Sequence, residues 1–227
     1  MASNESSPPS NRGSGPIILS PKRGALAERD IAVAADAIRA GGLVAFPTDT
    51  VYGVAANAGD PDAVGRLYEA KQRPREKALP VLVADRGDVH LCARDVSRAA
   101  LDLMEQFWPG PLTIVLKRTD AICPEAVNGG DTVALRMPDS DVARAILRAA
   151  GLPVVVTSAN PSGGPETVES AEVARSLGSW LDVIVESDTP ASGRPSTLID
   201  MTTTPPRVLR EGPVSREQLA EVVGELA

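Results

Sequence analysis

Apolar residues along the chain fall into short, nearly continuous runs at 16–19, 43–46, 79–84, 112–116, 133–137, 153–156, 182–185, 196–199 and 207–209. Runs of that length predict strands, and those at 43–46 and 153–156 read as fully buried. Between them the spacing changes to a helical period. Over 26–40, Leu26, Ile31, Val33, Ala34, Ala37 and Ile38 mark one face, and Gly41-Gly42 supplies a C-terminal stop. Asp60-Pro61 is an N-cap followed by proline in the first turn, and predicts a helix to about Lys71 with Val64, Leu67 and Tyr68 on one side. Further helices are expected over 97–107, closed by Trp108-Pro109-Gly110-Pro111, over 139–150 ending at Gly151, over 170–177, and from the capping box Ser215 to Gln218. Strands and helices mix without strict alternation, and several connections are too short for a helical crossover. Some pairs must therefore be antiparallel, which gives an α/β (α+β) fold with a twisted mixed sheet flanked by helices. One domain is expected from about residue 16 to 227. Residues 1–15, rich in Ser, Pro, Asn and Gly, are expected to be a disordered tail.

Composition narrows the function. Aromatic residues are 3% of the chain, so the core is built from Val, Leu, Ile and Ala. A formal net charge of −7 argues against a protein that coats nucleic acid, and confines any anion site to a local patch. Cys92 and Cys123 fit no metal or disulfide spacing, and read as reduced structural thiols. The single histidine, His90, reads as a surface residue, and no metal site is expected. No apolar run approaches the ~20 residues of a membrane span, and a cytoplasmic location is the expectation.

Against that acidic background, Lys71-Gln72-Arg73-Pro74-Arg75-Glu76-Lys77 sets four cations against one carboxylate. A helix C-terminus accounts for Lys71 and Arg73 but not for Arg75 and Lys77 beyond Pro74, so the loop is a candidate triphosphate clamp. Thr48-Asp49-Thr50 follows the strand at 43–46 and is either a side-chain-bonded turn or a polar rim at a ligand site. Arg136 lies in an apolar strand, where it needs a carboxylate partner or a ligand carboxylate; Thr132, four residues before it, shares its face. Thr157-Ser158-Ala159-Asn160 precedes Gly163-Gly164, which permits close approach of a ligand. Asp49 and Asp200 have no sequence partner and read as turn residues. There is no P-loop and no nucleophile elbow, which favours chemistry by positioning and charge neutralisation.

Taken together, these stretches resemble the YrdC-like family of threonylcarbamoyl-AMP synthases. The resemblance rests on Phe46-Pro47-Thr48-Asp49-Thr50-Val51-Tyr52-Gly53, Glu69-Ala70-Lys71-Gln72-Arg73-Pro74, Phe107-Trp108-Pro109-Gly110-Pro111-Leu112-Thr113 and Asp131-Thr132-Val133-Ala134-Leu135-Arg136-Met137-Pro138. It continues through Thr157-Ser158-Ala159-Asn160-Pro161-Ser162-Gly163, Pro195-Ser196-Thr197-Leu198-Ile199-Asp200 and Val208-Leu209-Arg210-Glu211-Gly212. It implies a sheet around an open, positively charged cavity, in the short single-domain form. It also implies an enzyme that joins L-threonine, bicarbonate and Mg²⁺-bound ATP into threonylcarbamoyl-AMP and pyrophosphate, for the threonylcarbamoyl modification of adenosine beside a tRNA anticodon.

Carried over position by position, the resemblance assigns ATP to Arg73, Lys77, Thr132, Ser158, Asn160, Glu166 and Arg210. It assigns threonine to Thr50 or Thr48, Arg136, Val156 and Ser196, with Val156 and Glu166 acting through backbone atoms. Lys71 and Arg73 are the expected catalytic cations facing the phosphates. The implied partners include tRNA-modification proteins that take up the product. The rival reading is a module that holds RNA in the basic cavity; weak RNA contact stays an open expectation, with acidic charge and few aromatics against it. Leu82 departs from the pattern where some relatives carry His, and Pro195 where many carry Glu.

Overall fold

The structure is a computed structural model that describes residues 15–22, 24–187 and 192–227. The tail expectation for 1–14 falls outside the described residues.

In chain order the elements are β1 (Ile17–Leu19), α1 (Glu28–Arg39), β2 (Val44–Phe46), β3 (Gly53–Asn57), α2 (Pro61–Lys71), β4 (Val81–Leu82), α3 (Val89–Cys92), β5 (Ala93–Arg94), α4 (Arg98–Phe107) and β6 (Leu112–Arg118). They continue with β7 (Thr132–Arg136), α5 (Asp141–Ala150), β8 (Val154–Ser158), α6 (Ser170–Leu177), β9 (Val183–Val185), β10 (Thr197–Asp200), β11 (Arg207–Arg210) and α7 (Arg216–Val223). Short 3₁₀ turns precede α3 and β7. The helix ends form as their residues dictate. Asp60 accepts from the backbone N–H groups of Asp62 and Ala63, Ser140 and Ser97 cap α5 and α4, and Ser215 and Gln218 complete a reciprocal capping box.

The strands form one mixed sheet in the order β1-β9-β2-β3-β8-β4-β7-β6-β10-β11, with β5 paired to β6. β3 runs antiparallel to both β2 and β8, and β4 lies antiparallel to β8 and parallel to β7. β3, like α3 and β5, has no counterpart among the elements that the sequence predicts. The strand expected over 79–84 is paired only at Val81 and Leu82, because Pro80 has no N–H to give a ladder while its carbonyl accepts from Val156 at 2.8 Å.

Side-chain alternation divides the core in two. Ala45, Val54, Ala56, Val155, Leu112, Ile114, Leu116, Val133, Leu135 and Ile199 face one side, packed with Leu67 of α2, Leu103 and Met104 of α4, Leu177 of α6 and Leu219 of α7. Val44, Phe46, Ala55, Val154, Val156 and Val183 face the other side, covered by Ala34 and Ile38 of α1 and Val142, Ile146 and Leu147 of α5. Those two helices cover the β9-β2-β3-β8 part of their face, and the same cluster takes in Leu19 of β1 and Leu82 of β4. The same face of β7, β6, β10 and β11 carries Thr132, Ala134 and Arg136, Thr113 and Val115, Leu198 and Asp200, and Leu209 and Arg210, and these line a cavity instead of a helix contact. The open half of the sheet is therefore the floor of the candidate site.

Candidate active site

The cavity is about 510 Å³ and is bounded by the turn after β2, the loop after α2, the C-terminal end of β8 and the strands β6, β7, β10 and β11. That is an ordinary size for a small-molecule site. Of the residues singled out in the sequence, Thr48, Thr50, Arg73, Thr132, Arg136, Val156, Ser158, Glu166, Ser196 and Arg210 line it. Lys71, Lys77 and Asn160 do not. Both departures, Leu82 and Pro195, line it too. Three arginines and two carboxylates, Glu166 and Asp200, contribute its charge.

The turn after β2 is folded by its own hydroxyls. Thr48 Oγ1 donates to the Val51 carbonyl at 2.7 Å and accepts from the backbone N–H groups of Thr50 and Val51 at 3.2 and 3.3 Å. Thr50 Oγ1 lies 3.0 Å from Thr48 Oγ1 and accepts from Arg136 Nη1 at 2.8 Å. A single direction of donation, Arg136 to Thr50 to Thr48 to the Val51 carbonyl, gives each hydroxyl proton an acceptor. Arg136 is 7% exposed at the end of β7; its Nε donates to the Gly110 carbonyl at 3.0 Å and its Nη2 to Asp49 Oδ1 at 2.5 Å. Burial pushes its pKa down from the usual arginine value and Asp49 opposes the shift. Asp49 is thus no unpaired turn residue: it is the ion-pair partner of Arg136, across 87 positions of sequence. Asp200 does keep a turn role, accepting from the N–H and the hydroxyl of Thr202.

The basic loop begins where Gln72 takes a left-handed conformation, at φ 50°, and ends α2. Arg73 turns into the cavity wall with Nε on the Lys77 carbonyl and Nη2 on the Ala78 carbonyl, each at 3.0 Å. Arg75 stacks over the Tyr68 ring at 5.6 Å, and the Tyr68 hydroxyl donates to the Lys77 carbonyl. Lys77 is exposed outside the lining. Lys71 stands differently from the expectation that it faces the phosphates. It is 1% exposed, and Nζ donates to the carbonyls of Ser158 and Asn160, the latter at 2.5 Å. The backbone carbonyl of Lys71 in turn accepts from Ser162 N–H. Burial brings its pKa down to about 8, with Arg73 adding to the effect and Glu166 opposing it. Asn160 works on the same turn from behind, its Nδ2 donating to the carbonyls of Pro161 and Gly164.

On the far wall Ser196 is a junction. Its Oγ is 2.7 Å from Thr113 Oγ1, while Arg210 donates to its carbonyl from Nε at 3.0 Å and to its Oγ from Nη2 at 3.3 Å. Thr113 escaped the sequence reading, although alternation through Leu112 to Leu116 already puts it on the face opposite the core. Val156 gives its N–H to Pro80, so its backbone donor is committed. His90 is exposed in α3 and lies against the Gly87 carbonyl, and Cys92 and Cys123 are buried free thiols.

The chain is similar to known proteins over most of its length. The Sua5, YciO and YrdC family, described as telomere recombination, matches residues 36–212. A threonylcarbamoyl-AMP synthase of Pyrococcus abyssi is 40% identical over 88% of this chain and 58% of its own length. A putative threonylcarbamoyl-AMP synthase of Mycobacterium tuberculosis is 40% identical over 86% of this chain and 90% of its own. The solved structure of P. abyssi Sua5 complexed with L-threonine superposes with a TM-score of 0.86 at 37% identity, covering 93% of this chain and 62% of that one. Escherichia coli YciO gives 0.79 at 26% identity, covering 89% and 98%. The chain spans somewhat under three fifths of the first curated relatives it matches. With the family model matched over residues 36–212 and a relative 40% identical over 88% of the chain, the chain belongs to the Sua5/YciO/YrdC family.

Proposed function

We propose that this chain is a threonylcarbamoyl-AMP synthase, a nucleotidyltransferase that makes threonylcarbamoyl-AMP and pyrophosphate from L-threonine, bicarbonate and ATP. One observation carries the reading: Arg73, Arg136, Ser158 and Arg210, which come from four separate parts of the chain, open on one hollow of about 510 Å³. The P. abyssi relative solved with L-threonine supports the amino-acid half of it.

In this reading Arg136 and Thr50 take the carboxylate of threonine, with Thr48 behind them and Val156 and Ser196 beside the ligand. Thr132, Ser158, Glu166, Arg210 and Arg73 hold the nucleotide, and Lys77 reaches it from the rim. Bicarbonate loses hydroxide to give CO₂, the threonine ammonium gives one proton to that hydroxide to form water, and the amine nitrogen bonds to the carbon of CO₂ and releases a second proton to solvent, leaving the carbamate. A carbamate oxygen then attacks the α-phosphorus of ATP as the bond to the bridging oxygen breaks and pyrophosphate departs. Arg73 and Lys77 stabilise the negative charge that gathers on the leaving group. Magnesium enters with ATP as part of the substrate and neutralises phosphate charge; among the described residues no group of three or more His, Cys, Asp or Glu side chains converges on a metal position. Lys71 is assigned a positioning role, holding the Ser158–Asn160 turn at the nucleotide. The product is destined for tRNA modification by other proteins. A cytoplasmic location fits, and no helix among the described residues is long and apolar enough to cross a membrane.

The test is pyrophosphate release by the purified protein with Mg-ATP and bicarbonate. Release that depends on threonine is expected. Release at an equal rate without threonine would remove the proposed substrate.

A further inference from the structure

Three arginines line the cavity, and they are held in two different ways. Arg73 and Arg210 donate only to uncharged oxygens, the carbonyls of Lys77 and Ala78 for one and the Ser196 carbonyl and hydroxyl for the other. Among the described residues neither has a carboxylate partner. Arg136 has one, at 2.5 Å. The carboxylate that neutralises it is itself built in: Asp49 Oδ1 also accepts from the backbone N–H of Asp139 at 3.1 Å, and the Asp49 carbonyl accepts from Ser192 N–H at 3.0 Å. Asp49 does not itself line the cavity, although the Arg136 it pairs with does.

A guanidinium has five N–H groups. In Arg136, Nε, one N–H of Nη1 and one N–H of Nη2 are taken by Gly110, Thr50 and Asp49. One N–H remains on each terminal nitrogen, each able to donate to an oxygen of a ligand carboxylate. The fork is fixed, and its net charge is already cancelled.

We infer that Asp49 is a positioning and specificity-determining residue that makes the Arg136 subsite select a zwitterionic amino acid over a phosphate anion. The inference rests on the proposed synthase reading. Polyanionic ATP is drawn to the uncompensated Arg73 and Arg210. The neutral Arg136–Asp49 pair offers a free phosphate little Coulombic gain, yet still gives an amino-acid carboxylate two directed hydrogen bonds. Asp49 in this way keeps the two substrates of one cavity from occupying each other's places.

The experiment is calorimetric titration of threonine into the protein, without phosphate and with rising inorganic phosphate, at ionic strength held constant with chloride. It is run on the wild type, Asp49→Asn and Asp49→Glu. For the wild type, phosphate is expected to change threonine affinity by less than about twofold. In Asp49→Asn, which keeps an acceptor but loses the charge, phosphate is expected to compete and to weaken threonine binding about tenfold. Asp49→Glu restores the insensitivity. A part that merely braced the turn would alter threonine affinity without creating phosphate competition. ATP binding serves as the check that the variant is folded. If Asp49→Asn fails that check, the wild-type titration decides alone: displacement of threonine by phosphate overturns the inference. Equal insensitivity in wild type and a folded Asp49→Asn overturns it as well. A wild type that binds no threonine at all overturns the synthase reading, a result distinct from either.

Discussion

At the scale of single residues, the cavity is governed by how buried cations are matched. Arg136 makes directed bonds to Gly110, Thr50 and Asp49, so a lysine cannot replace it: an ammonium on a flexible stem has no planar fork. Arg136→Lys is expected to weaken threonine binding by about a hundredfold, in line with about 2–3 kcal/mol for a bidentate charged contact. ATP binding should stay within about twofold, as read by separate titrations. Loss of both affinities in equal measure would contradict the division of the cavity. Lys71 yields a prediction in pH. Its folded value of about 8 lies below the unfolded 10.5. Between those values the unfolded chain holds a proton that the folded chain has released, so this residue makes stability rise with pH across the window. Below about 8 it is charged in both states, and the penalty for burying the charge is present in full. The difference in stability between wild type and Lys71→Met, followed by denaturant melts from pH 7 to 10.5, should therefore shift in favour of the wild type as pH increases. A flat difference would show that the amine is not desolvated as described.

At the scale of elements, much of the site was legible because strands report their faces through alternation. Thr132 and Arg136 were placed on one face from spacing alone, and both line the cavity. The contact between Asp49 and Arg136 was not legible, since nothing local pairs a turn after β2 with the end of β7. Nor was β3. Its residues Gly53-Val54-Ala55-Ala56-Asn57 hold a single β-branched side chain, and it forms because β2 and β8 bond it on both sides while both of its faces are buried. Small residues are what that central position needs. A Cβ at Gly53 would lie 2.5 Å from Val156 Cγ1, on the neighbouring strand that carries Ser158. Gly53→Ala should thus cost about 1–3 kcal/mol by overpacking. It should also lower threonine affinity, because Val156 is part of the cavity wall. A variant of unchanged stability, measured by chemical denaturation, would mean that the strand pair opens more readily than the packing allows.

At the scale of the whole molecule, the sheet makes a site by leaving half of one face without helices. α1 and α5 seal the β9-β2-β3-β8 portion, and the remaining strands expose polar residues where a core would otherwise form. Most of the candidate residues that the sequence scatters from Thr48 to Arg210 meet there because they lie at strand ends or on the uncovered face, while Glu166 comes from the loop after β8 and Lys71, Lys77 and Asn160 stay outside the lining. The loop after α2 adds Arg73 from the side. Arg73→Ala should weaken ATP binding by about tenfold or more while leaving threonine binding nearly intact, the reverse of the Arg136 result.

The central claim is that one hollow holds an amino acid and a nucleotide side by side. Its most direct test is titration of threonine into the protein with and without a saturating, non-hydrolysable ATP analogue. The account predicts that each ligand binds at one site per chain and that threonine still binds when the analogue is present. Displacement of threonine by the analogue, on a protein that binds each alone, would contradict it.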